Sequence, residues 1–164
     1  MNDDRLRALE RRWQETGSEE DELAWDLERE RLGLPPRIRV VEVELRSFDI
    51  GDPALDDRSG REAWEAAIQE ATRRPFAPWL LCDWSRISTF ESTALVDFLE
   101  AHRRLEPLGG GVVLCAIPEP VWGVFQLVGH EELLPVSPSV ADCLRERGWT
   151  RRGRSLSIEL RSIL

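Results

Sequence analysis

The stretch Trp79–Leu95, WLLCDWSRISTFESTAL, decides the fold. Its first six residues, Trp79 to Trp84, form an apolar run bounded by polar residues. That run is too short for a helix in its own right and has no polar alternation, so it suits a central strand buried on both faces. From Ser92 the texture changes: Leu95, Phe98, Leu99 and His102 recur at helical spacing through Leu105. Between the two lies a hydroxyl-rich turn, Ser88-Thr89-Phe90-Glu91-Ser92-Thr93. A strand handing over to an amphipathic helix through such a turn is half of a βαβ unit.

Working outward, the same alternation recurs. Ile38, Val40 or Val41, Val43 and Leu45 with interleaved charges read as a strand with one buried face. Phe48 to Asp57 is turn-rich. Glu62 to Arg73 carries Ala63, Trp64, Ala66, Ala67, Ile68 and Ala71 in a helical pattern, and Pro75 and Pro78 mark the loop before Trp79. Gly109 to Gly111 is a tight turn into the apolar strand Val112 to Ile117. Pro118 and Pro120 introduce a helix with Val121, Val124, Phe125 and Val128, closed by Gly129. Leu133 to Val136 reads as a short strand, and Pro138 starts a last helix with Ala141 and Leu144. Four strands alternating with four helices predict a mostly parallel sheet with right-handed crossovers. In such sheets function gathers beyond the C-terminal ends of the strands, which singles out the turn before Ser92.

Ahead of this domain, Leu6, Leu9 and Trp13 share one face of a helix over Asp3–Glu15, which Gly17 ends. Ser18 with Asp21 three residues later resembles a capping-box start. A second helix burying some of Leu23, Trp25, Leu27 and Leu32 runs to Pro35-Pro36. The expected organisation is a helical hairpin at 1–36, an α/β domain at 37–147 and a basic C-terminal tail at 148–164. The hairpin reads as a packing appendage or a homodimerisation element, the tail as solvated.

Composition narrows the function. Of 164 residues 41% are apolar and 32% charged, an ordinary globular mix. All 22 basic residues are arginine and the net charge is −9, which argues against nucleic acid as the main partner. Eleven acids face six arginines up to Leu34, whereas Arg145 onward carries six arginines and two acids. No apolar stretch is long enough for a membrane span. The acidic Met-Asn-Asp-Asp opening lacks the features of a secretory signal, so the expected compartment is the cytoplasm. Cys82, Cys115 and Cys143 are widely spaced and odd in number, which reads as buried thiols rather than a disulfide or zinc framework. No catalytic, metal or cofactor site is expected. G-x-S-x-G is absent, a P-loop is impossible without lysine, and Gly109-Gly110-Gly111 precedes a strand where nucleotide-binding glycines follow one. His102 and His130 lie far from Ser92 in sequence. Trp13, Trp25, Trp64 and Trp79 read as packing residues.

The hydroxyl turn is what remains. Ser92 or Thr93 at the start of the helix is accounted for by N-capping, which contributes about 0.5–2 kcal/mol. Phosphorylation there would add a charge of about −1.5 to −2 that a helix N-terminus tolerates and a partner docked on the neutral hydroxyl does not.

At these residues the chain resembles the STAS domains (sulfate transporter and anti-sigma factor antagonist) over roughly Arg37–Leu144. The carriers are Leu80-Leu81-Cys82-Asp83, Phe90-Glu91-Ser92-Thr93-Ala94-Leu95, Ala101-His102-Arg103-Arg104-Leu105, and Gly109-Gly110-Gly111-Val112-Val113-Leu114. Two further carriers are Pro120-Val121-Trp122-Gly123-Val124-Phe125 with Gly129, and Leu133-Leu134-Pro135-Val136. The resemblance implies a STAS-like mixed, mostly parallel sheet of four to five strands with α-helices, preceded here by the hairpin. It implies a non-enzymatic signalling protein that regulates transcription as an anti-sigma factor antagonist. Its partner would be an anti-sigma factor that is itself a serine kinase. The serine that such a kinase modifies matches Ser92, with Thr93 as second choice, and the partner-binding set is Ser88, Thr89, Glu91, Ser92, Thr93 and Ala94. Glu91 stands where the family usually has Asp, and Ala94 where it usually has Gly. Alternatives are a non-switching scaffold or oligomerisation module of the same fold, and a small-molecule or nucleotide-sensing STAS domain.

Overall fold

A computed structural model of the chain describes residues 2–48, 57–72, 75–87, 93–128, 134–149 and 156–161. The apolar run at its centre is strand β2, Ala77–Asp83, flanked by β1 (Ile38–Phe48) and β3 (Gly111–Cys115). Leu80, Leu81 and Cys82 are consecutive, so they point to alternate faces, yet all three are 0% exposed. Both faces of β2 are therefore covered, as an unalternating apolar strand requires.

The full sheet has five strands in the order β4-β3-β2-β1-β5, with β4 at Val136–Ser137 and β5 at Leu156–Arg161, and every described pairing is parallel. Three crossovers, through helices α3 (Asp57–Ala71), α4 (Thr93–Leu105) and α5 (Glu119–Val128), each step one strand in the same direction. Right-handedness puts all three on one face. Helix α6 (Val140–Arg147) carries the chain back from β4 to β5 and must take the other face. The core divides accordingly. Val41, Val43, Leu45, Leu80, Cys82, Val112 and Leu114 pack with Trp64, Phe98 and Phe125, while Val40, Leu81, Val113 and Cys115 pack with Cys143 and Leu144 of α6. Val40 and Val41 are thus both buried, on opposite faces.

Strand β5 lies in the segment whose arginines read as a solvated tail; Leu156 to Arg161 instead pair with Val43 to Phe48 of β1. The Leu156, Ile158, Leu160 alternation carries the strand, and the charge count over the whole segment obscures it. The expected strand Leu133–Val136 is displaced to Val136–Ser137, with Leu134 buried just before it and residue 133 outside the described residues. No helix among the described residues is long and apolar enough to cross a membrane.

The glycine run enters β3 as a turn. A Cβ on Gly110 would lie 1.7 Å from the Pro78 carbonyl oxygen, and one on Gly111 would lie 2.7 Å from the His102 ring. That space lets His102 of α4 reach the edge of β3. Leu114 and Ala116 donate their N–H groups to Pro135 and Ser137 beside the short β4, both at 3.0 Å. Val112, on the same edge, lies beyond the reach of β4 and donates its N–H to His102 Nδ1 at 2.9 Å. An imidazole nitrogen that accepts must be unprotonated, so the ring is held with its proton on Nε2.

The hairpin forms as expected, with α1 at Asn2–Thr16 and α2 at Glu19–Arg31. Ser18 caps α2 by accepting the Asp21 N–H. The Asp21 carboxylate, in place of the Ser18 backbone, takes the hydroxyls of Thr16 (2.5 Å) and Ser18 (2.9 Å) and pairs with Arg12 at 2.9 Å. Trp13 and Trp25 stack at 5.1 Å. Arg37, at the entry to β1, joins this unit to the sheet. Its guanidinium donates to both Asp26 oxygens at 2.6 and 2.7 Å and to Glu22 at 2.6 Å, and lies 4.8 and 4.7 Å from the Trp13 and Trp25 ring centres. Asp26 is only 2% exposed, so its charge depends on that partner.

Two outcomes follow. Arg37→Ala strands the Asp26 carboxylate and lowers unfolding free energy by about 3 kcal/mol in urea titration, with Arg37→Lys recovering only part because the two-pronged, stacked geometry is specific to arginine. The hydroxyls of Thr16 and Ser18, followed by Arg12, hold the Asp21 carboxyl below its ordinary value, and Arg31 does the same for Glu28. A depressed carboxylate stabilises the fold above its unfolded pKa of about 4 and stops doing so as pH falls through the lower folded value. Helical circular dichroism of the full chain should hold from pH 7 to about 5 and decline below 4, with a smaller decline in Asp21→Asn.

Candidate functional site

The C-terminal edge of the sheet is built on Trp84. Its backbone N–H donates to Cys115 O and its own carbonyl accepts the Ile87 N–H, both at 2.9 Å, closing a tight turn just past β2. Asp83 Oδ1 takes the Ser85 N–H at 2.9 Å. The buried Trp84 ring packs at 5.2 Å from Phe98 of α4 and 5.4 Å from Phe125 of α5. Trp64 of α3 completes the cluster against Phe98 at 4.7 Å. One indole thus fixes the two helices that rise from this edge relative to the end of β2.

Ile87, buried, is the last described residue before the hydroxyl turn, and Thr93 opens α4 on the far side. Ser88, Thr89, Glu91 and Ser92 lie outside the described residues, as does His130. Thr93 and Ala94 are the first two residues of α4, and nothing further is described of their side chains. The structure brackets the turn between the end of β2 and the start of α4. The helix beyond it is anchored by Leu95, Phe98, Ala101 and Leu105, all buried.

Other charges mark this edge. Glu44 and Asp83 are register partners on β1 and β2, and Arg86 in the turn reaches back to Glu44 at 3.0 Å. Ala116, immediately after β3, has φ of 55°, the one left-handed non-glycine among the described residues. Backbone strain of this kind tends to collect at functional edges. Nothing in the residue pattern around Cys115-Ala116-Ile117 signals it.

Among the described residues, His102 is engaged with the Val112 N–H near the start of β3. Burial pushes the thiols of Cys82, Cys115 and Cys143 up, away from the reactive thiolate. No group of three or more His, Cys, Asp or Glu among the described residues is arranged to hold a metal ion.

Comparison with known proteins agrees with this architecture. A STAS domain family model matches residues 55–143, from α3 into α6, and the chain belongs to that family. Among solved structures, the protein TM1081, known from NMR, has a TM-score of 0.51 at 12% identity over 63% of this chain and 78% of its own. An anti-sigma-factor antagonist (STAS) domain protein from Planctomyces limnophilus has a TM-score of 0.49 at 15% identity, over 63% of this chain and 89% of its own. No curated protein matches the sequence. At such identities the likeness to TM1081 concerns the fold. The hairpin, β1 and β5 fall outside the matched residues.

Two substitutions test the edge. Ala116→Gly removes the left-handed penalty and should raise stability by about 0.5–1 kcal/mol. His102→Ala leaves the Val112 N–H without its acceptor and should lower stability by about 1–3 kcal/mol. Urea unfolding of each variant against the native chain provides the measurement.

Proposed function

We propose that the protein is a regulatory binding module of the anti-sigma factor antagonist kind, docking its partner on the turn between β2 and α4. The observation that carries this reading is where that turn begins and ends. It leaves the C-terminal end of the central strand, past a turn locked by Trp84, and enters a helix whose inner face is fully committed to the core. Open α/β sheets place their recognition surfaces at this edge. The rigid support means that docking need not first order the scaffold, which favours affinity.

On this reading Ser92 is the regulated hydroxyl, with Thr93 the second choice, and Ser88, Thr89, Glu91 and Ala94 complete the contact. A phosphoryl group at Ser92 would join Glu91 in sequence and Asp83 at the same edge, where Glu44 is already paired with Arg86. The summed negative charge repels a partner fitted to the neutral turn, while the α4 N-terminus keeps the fold intact. The partner is an anti-sigma factor with serine kinase activity, and the setting is transcriptional signalling in the cytoplasm.

A second reading rests on the hairpin. It docks through Arg37 at the N-terminal ends of the strands, roughly 20 Å from the turn along a seven-residue strand. Leu23 and Leu27 on α2 are 40% and 48% exposed. In this reading the hairpin supplies the contacts, either to a second copy or to a scaffold, and Ser92 only caps a helix.

Binding of Ser92→Asp and Ser92→Ala to the purified kinase separates the two. The first reading expects Ser92→Ala to bind like the native chain, Ser92→Asp to bind at least about tenfold more weakly, and ATP to add phosphate at Ser92. Equal binding by Ser92→Asp sinks the switch. Deleting Met1–Leu34 should leave that binding in place; loss of all association on deletion supports the hairpin instead.

A further inference from the structure

Helices α3 and α4 cover the same face of the sheet, and a groove of about 300 Å³ runs between them. Its floor is apolar: Trp64 and Ile68 of α3 and Ala101 of α4 are all buried. Ala101 contributes only a methyl group, so the facing helices leave space there. The rim is charged. Glu65 on α3 and Asp97, Glu100 and Arg104 on α4 set three carboxylates against one guanidinium. The three α4 residues stand at i, i+3 and i+7, a single stripe of the helix about 10 Å long.

One guanidinium of this chain already spans the groove. Arg104, in the last turn of α4, donates through Nη1 to both Glu65 oxygens on α3, at 3.3 and 3.2 Å. Glu100 and Arg104 are separated by four residues, an order that ordinarily pairs glutamate with arginine along a helix. With Arg104 committed to Glu65, Glu100 has no ion pair or hydrogen bond among the described residues. Asp97, which is itself engaged, adds its negative charge to the same side. The groove therefore keeps an unused carboxylate above a buried apolar floor.

We propose that this groove is a docking site for an arginine-bearing segment of a separate protein partner. The arginine stem lies along the Trp64, Ile68 and Ala101 floor and its guanidinium pairs with Glu100. Charge complementarity chooses the occupant: the surplus of carboxylates repels an acidic segment and attracts a basic one. The floor matches the methylene stem that a long basic side chain buries while its head stays at the rim. Arginine suits the site better than lysine, because a planar guanidinium stacks on an indole and forks onto a carboxylate. A volume at the low end of ligand pockets takes a side chain in preference to a whole metabolite. The groove continues from the β2–α4 edge down the flank of α4, and it does not rely on Ser92.

Titration of the isotope-labelled full chain with N-acetylarginine amide at low salt, followed by NMR, tests this. The expected result is a saturable shift of the Trp64 indole N–H and of the backbone amides around Glu65, Glu100 and Ala101. Glu100→Gln should weaken binding by about two- to fivefold, whereas Arg104→Gln, which releases Glu65, should strengthen it by a similar factor. Both positions are exposed, and unchanged circular dichroism shows that the variants fold. N-acetyllysine amide should bind more weakly, and N-acetylnorleucine amide should leave the spectrum unchanged. Shifts scattered over the acids of the whole surface, or binding that Glu100→Gln leaves intact, would overturn the proposal. So would equal binding of the norleucine derivative, or magnesium ion producing the same shifts. Self-association of the native chain that Glu100→Gln abolishes would make the occupant a second copy and overturn it as well.

Discussion

The double-sided burial of β2 is the constraint from which the rest of this structure follows. An apolar strand with no polar face needs a neighbour on each side and a covering layer above and below. Parallel neighbours need long connections, so helices must supply the layers. Three of those helices step the chain outward across one face, and the fourth returns beneath the other to lay β5 against β1. Among the described residues α6 is the helix on the second face, and the core there is the smaller.

The same constraint separates the molecule's two candidate contact surfaces. Everything that follows a strand rises from one end of the sheet, and there the Trp84 indole ties the end of β2 to α4 and α5. The hairpin precedes β1, and Arg37 docks it at the other end through two carboxylates and two indoles. The fold thus holds a Trp84-anchored strand-end edge at one end and an accessory helical pair at the other. A partner engaging one end need not contact the other.

Much of this could be read from residue pattern, and the misses have physical causes. Strand β2 and helix α4 announced themselves because their periodicities differ sharply on either side of Ser92. The hairpin was legible from Leu6, Leu9 and Trp13 and from the Ser18 cap. Strand β5 was hidden because the arginines around it dominate the composition while its Leu-Ser-Ile-Glu-Leu alternation spans only a few residues. Arg37 looks no different from Arg39 in sequence; its partners lie 11 and 15 residues back and meet it only in three dimensions. His102 was visible as part of a helix face, but its acceptor role depends on β4 being too short to pair with Val112. The left-handed Ala116 has no sequence signal, since glycine is what such a position usually announces. The hydroxyl turn itself was singled out by elimination and by resemblance, and the described geometry bounds it on both sides.

The most direct test of the central claim is hydrogen–deuterium exchange of the full chain, free and in complex with the proposed anti-sigma factor partner. The account predicts that protection on binding falls on the turn from Ser85 through Ala94 and the first turn of α4, and leaves Asn2–Arg31 unchanged. Protection confined to the hairpin, with the β2–α4 turn exchanging as in the free protein, would contradict it.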